Sequence, residues 1–136
     1  MFENLNYAIV QLVHKFGAAA VIGFAIFAVY PGAQSASVQR RLAWLVGLGW
    51  AVQAISGMGF GAVSYYYYER LPDLSGVAFA ALLIKISCAV GGLTMAMLYV
   101  RRAGDWAMAQ RTAAWKFLCI LGVTALAAAA FLRWYA

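Results

Sequence analysis

Residues 7–30 read YAIVQLVHKFGAAAVIGFAIFAVY. Apart from Gln11, His14 and Lys15, the stretch is built of apolar, small and aromatic residues. A helix needs about 20 such residues to cross the hydrocarbon core of a bilayer. This run is long enough, and it closes on a turn signal, Pro31-Gly32. Three comparable runs follow, at about Leu42–Ser64, Gly76–Val100 and Ala114–Trp134. Of the 136 residues, 66% are hydrophobic and 10% charged, against about 25% charged in soluble domains. The expected fold class is all-α integral membrane: one four-span domain over residues 1–136. Short connections make it an antiparallel, up-down four-helix transmembrane bundle.

The N-terminus, MFENLNYAIV, has no basic segment, and no A-x-A site closes a short apolar core. The first run is therefore expected to stay as a membrane helix. The formal charge of +6 does not call for nucleic acid, because the positive residues gather in loops. Arg40 and Arg41 lie in the first loop; Arg101, Arg102 and Arg111 lie in the third, with Lys116 just beyond. The N-terminus offers Glu3, and the second loop carries Glu69, Asp73 and Arg70. Lys and Arg mark cytoplasmic loops. Loops one and three are thus expected inside, both termini outside, and the location a bacterial-type cytoplasmic membrane. Tyr65–Tyr68, Trp134 and Tyr135 are expected in an outer aromatic belt, and Trp44, Trp106 and Trp115 in an inner one.

Polar residues remain within the spans: His14–Lys15, Gln53 and Lys85. A lysine at the bilayer centre costs roughly 2.5–3.5 kcal/mol and ordinarily faces the bundle interior or water. At about 1.5 Å per residue, His14 and Lys85 fall at similar depths in the outer half, with Gln53 slightly deeper. The faces agree. On span one, Gln11, His14, Ala18, Val21 and Ala25 align; on span two, Gly49, Gln53, Ser56, Gly57, Phe60 and Ser64; on span three, Ala78, Ala81, Lys85, Cys88 and Gly92. Small residues allow close helix approach and leave room for water, a headgroup or a flat cofactor. Lys15 points about 100° from His14 and can snorkel to the interface. Cys88 and Cys119 form no CxxC pair and read as small hydrophobes. Hydrolytic and phosphate chemistry lack a basis, since there is no buried carboxylate, nucleophile–base pair or phosphate loop.

Several stretches resemble the family of small membrane proteins that includes the HemJ-type protoporphyrinogen oxidases and the CopD copper-resistance proteins. They are HKFGAAAVIGFAIFAVYPGA, VQRRLAWLVGLGW, AISGMGFG and LLIKISCAVGG. The tryptophan of that family's HxxGxxxW pattern and the arginine of its YLPRL exit have no counterpart here. The resemblance implies a b-type haem or porphyrin and carries over onto His14 and Lys85; shared depth and faces add Gln53 to the lining of the outer-half cavity expected to hold it. His14 would be the axial ligand to haem iron. Lys85 would be a second ligand or a partner for a propionate, with Met58 another candidate second ligand. Such a protein would pass electrons; the nearness of the site to a membrane face makes quinone a plausible partner, and a porphyrinogen or quinone is the expected substrate of any oxidoreductase activity. The CopD side implies copper transport, for which thiolate and thioether residues are available. A third reading is an accessory subunit in a homo-oligomer or larger membrane complex, for which Gly57-x-x-x-Gly61 is a candidate packing motif.

Overall fold

In the computed structural model, which describes residues 1–29, 35–70 and 72–135, four long helices account for nearly the whole chain. They are α1 (Phe2–Val29), α2 (Ala36–Tyr68), α3 (Gly76–Arg102) and α4 (Met108–Tyr135), with a 3-10 turn at Ala103–Asp105. Each is long and apolar enough to cross a membrane. The Pro31-Gly32 exit of span one lies outside the described residues. The helices outrun the apolar spans because polar ends need not stop at the edge of the hydrocarbon. The α2 helix, for example, starts where the Ser35 hydroxyl accepts the Val38 amide at 3.3 Å, about two turns before Leu42.

The bundle is antiparallel throughout. Along α1 and α2, Asn6 meets Tyr67, His14 meets Ser56, and Val21 meets Gly49. Along α2 and α3, Gln39 meets Tyr99, Gly47 meets Ala96, and Trp50 meets Gly92. Contacts are richest between α1 and α2 and between α3 and α4, and thinnest where α1 and α4 close the ring. The core is made of small residues with a few large anchors, among them Ala25, Ala43, Val46, Trp50, Trp115 and Leu118. The outer surface is the reverse of a soluble protein's. Phe16, Met58, Val90 and Ile120 are each more than 60% exposed, one on each helix. An apolar girdle of this kind suits lipid, which solvates it without a hydrophobic penalty.

Two aromatic assignments change. Trp115 is 1% exposed and is a core residue, not part of an inner belt. Its ring lies 4.9 Å from that of Tyr99, whose hydroxyl donates to Gln39 Oε1 at 2.8 Å. The reason is that the start of α4 packs on the end of α3, which brings Trp115 into the main core cluster. At the opposite end, Tyr65 and Tyr66 are open as a belt requires. Tyr67 and Tyr68 do more. Tyr67 accepts from the Asn6 amide at 2.9 Å, and Tyr68 donates to Glu3, tying the beginning of α1 to the end of α2. Gly57 faces open space, so it makes no close helix contact within these four helices.

Candidate functional site

The polar residues singled out from the sequence converge. His14 on α1 stands between Ser56 on α2 and Lys85 on α3. Its Nδ1 is 2.6 Å from Ser56 Oγ, and its Nε2 is 2.8 Å from Lys85 Nζ. Donor and acceptor roles follow from the chemistry of each group. Ser56 gives its hydroxyl proton to the Val52 carbonyl at 2.5 Å, one turn back on its own helix. Its oxygen therefore accepts from the imidazole, which places the ring proton on Nδ1. Nε2 is left with a lone pair and receives an N–H from Lys85, whose ammonium has donors only. Gln53 secures the same turn of α1 by donating its side-chain amide to the His14 backbone carbonyl. Phe60 closes the group with an edge-to-face contact, ring centroids 5.6 Å apart.

Helix packing explains why this constellation forms at a fixed depth. A Cβ added to Gly17 would lie 2.8 Å from both Gln53 Nε2 and Val52 Cγ1, so α2 approaches α1 more closely than any side chain at position 17 permits. That approach brings Gln53 and Ser56 within reach of His14. On the other side, Gly92 lets α3 receive Trp50, whose indole would stand 2.2 Å from a Cβ there. Ala78, Ala81, Cys88 and Gly92 are buried on the face that carries Lys85.

Beside the cluster lies a cleft of about 1110 Å³, bounded by α1, α2 and α4 and reached by Lys85 from α3. His14, Lys85 and Gln53 all line it. Val21, Ile22 and Trp50 give it apolar surface, and Lys15 and Arg133 also line it. Met58 is not among the lining residues and is 68% exposed. It faces away from the imidazole and is not available as a ligand partner within one chain. Among the described residues no group of three or more His, Cys, Asp or Glu gathers, and Cys88 and Cys119 are both free.

Sequence reasoning had placed Ser56 on the right face without giving it a role. Its function as the Nδ1 acceptor depends on α1 lying at a particular height against α2. Trp50 was missed, although it is one of the largest buried side chains. The fold and cluster define the chain as a multi-pass helical membrane protein with a polar centre opening on an intramembrane cleft. No protein-family model, curated protein or solved structure matches it.

Proposed function

We propose that the chain is a membrane haem- or porphyrin-binding redox protein of the HemJ/CopD-like kind, with its ligand in the cleft beside His14. The observation that carries this reading is the meeting of the chain's only imidazole with the span-three amine at the wall of a cofactor-sized cleft. Binding sites for organic ligands have volumes of roughly 300–1,000 Å³, with mostly apolar linings and few polar groups. At about 1110 Å³ this cleft is slightly larger than that range, and its lining is mostly apolar.

The residues present fit a b-type haem. His14 would hold the iron through Nε2, the nitrogen that Lys85 meets and that Ser56 leaves free of a ring proton. A haem so bound supplies one-electron chemistry at a potential set by its axial ligands. The protein's own part is to prepare the imidazole. Ser56 fixes the tautomer, as hydrogen-bonded partners do for metal-ligating histidines, and Gln53 fixes the backbone beneath it. Lys85 occupies the Nε2 lone pair until a ligand replaces it. Its flexible stem can then turn the ammonium towards an acid group. Positively charged loops on the cytoplasmic side would put both termini and the mouth of the cleft at the outer face, within reach of quinone in the bilayer.

Optical absorption of the protein purified from membranes tests this. The expected result is an intense Soret band present in near-equimolar amount with the chain. A colourless protein that copurifies with stoichiometric membrane partners would favour the accessory-subunit reading instead.

A further inference from the structure

We infer that the seam between α1 and α4 docks a transmembrane helix of another protein, one that carries an aspartate or glutamate at mid-bilayer to pair with Lys15. This goes beyond the reading of the cleft: it concerns a neighbouring protein chain, and neither the His14 imidazole nor a cofactor enters it.

Lys15 is a cation at the middle of the bundle. It stands 13 residues from Phe2 and 14 from Val29, the two ends of α1. The contact of His14 with Ser56 sets the same level on α2, where Ser56 is 15 residues past Arg41 and 13 before Glu69. At about 1.5 Å per residue, these charged ends are about 22 and 20 Å away. A hydrocarbon core about 30 Å thick, placed between them, has Lys15 close to its centre. The snorkelling expected from the sequence falls short. Five side-chain bonds of about 1.5 Å each do not span the roughly 15 Å to either face.

Lys15 is also unpartnered. It is exposed, and among the described residues it makes no hydrogen bond, ion pair or ring contact. It shares a face of α1 with Gln11, Ala18 and Ile22, at four- and three-residue spacing. That face turns to α4, since a Cβ at Gly122 would lie 3.2 Å from Ile22 Cγ1. Two turns from that contact, at the level of Lys15, α4 offers Ala129 and Ala130, which line the cleft with Lys15 and have no side-chain acceptor. Contact between α1 and α4 is the thinnest between neighbouring helices, and alanines permit another helix to come close.

The partner's chemistry follows from the charge. A cation within a span pairs with an opposite charge or with carbonyls, and the carbonyls of a regular helix are already bonded within it. A second copy of this chain has no carboxylate to give. Its four are Glu3 in the first turn of α1, Glu69 at the end of α2, Asp73 in the loop that follows and Asp105 in the 3-10 turn. All lie at helix ends or between helices. Lipid phosphates are half a bilayer away. A carboxylate inside another protein's span is what remains.

The experiment uses leucine–alanine peptides of about 24 residues, long enough to span a bilayer. One has a central aspartate, one a central asparagine, and one an aspartate moved two turns towards its end. Each is titrated, as an energy-transfer acceptor, against the donor-labelled full chain in phosphatidylcholine vesicles. The central-aspartate peptide is expected to associate about tenfold more tightly than the other two, roughly what one polar contact between membrane helices provides. In Lys15→Met the preference should fall to near one, while the thermal unfolding midpoint stays at or above that of the unaltered chain, which shows that the variant is folded. Lys15→Arg should keep the preference. Equal association of the aspartate and asparagine peptides overturns the inference. So does a preference that survives in Lys15→Met, or one that the displaced aspartate shows equally, which would put the pairing at the membrane surface. No haem enters the titration, so its failure and that of the optical test are told apart.

Discussion

Gly92→Ala is expected to lower the stability of the bundle by about 3 kcal/mol, at the upper end of the cost of overpacking a core. The new methyl group would lie 2.2 Å from the Trp50 indole, which is 2% exposed and cannot stay where it is. Either α3 moves outward or the indole swings into the cleft it borders, so ligand affinity should fall together with stability. Gly57→Ala provides the contrast. Nothing lies within 4 Å of a Cβ there, and alanine gains about 1 kcal/mol of helix propensity over glycine. Thermal unfolding of both variants in detergent checks the pair. Equal stability in the two would show that α2 and α3 do not meet at Trp50.

The second large effect concerns His14 and Lys85 together. His14→Ala should reduce haem affinity at least 100-fold, about 2.8 kcal/mol at 1.4 kcal/mol per tenfold. It should also destabilise the protein without ligand, by about 3 kcal/mol, because it strands the Lys85 amine inside the bundle. Adding Lys85→Met to His14→Ala is expected to recover most of that stability, since removing both members of a half-buried polar pair costs less than removing one. Haem binding would stay lost. A double-mutant cycle on unfolding free energies reads the coupling directly. Additive losses would mean that the two side chains do not interact.

How much of this could be read beforehand depended on how many partners each helix has. On α3 the small face Ala78–Ala81–Lys85–Cys88–Gly92 was legible, and four of its five residues are buried as that pattern requires. The depth match between His14 and Lys85 was legible too, because rise per residue is fixed and both spans run in the same direction. The α2 helix was harder to read. It packs on α1 through Gly49, Gln53 and Ser56, and on α3 through Gly47 and Trp50. A single-face reading found the first set and passed over Trp50. Trp115 was misplaced because an aromatic residue near the start of an apolar run has the same local sequence whether lipid or protein surrounds it. The roles of Tyr67 and Tyr68 depended on where α1 begins, and the apolar pattern, starting near Tyr7, did not show that the helix begins at Phe2.

Because His14 is the chain's only histidine, uniform ¹⁵N-histidine labelling reports on one ring. Nitrogen NMR of the labelled protein in lipid bilayers, before and after addition of haemin, tests the central claim most directly. The expected result is a ring protonated at Nδ1 with Nε2 accepting a hydrogen bond, and then a large paramagnetic shift of Nε2 once haemin is present. A ring protonated at Nε2 beforehand, or resonances unmoved by haemin, would contradict it.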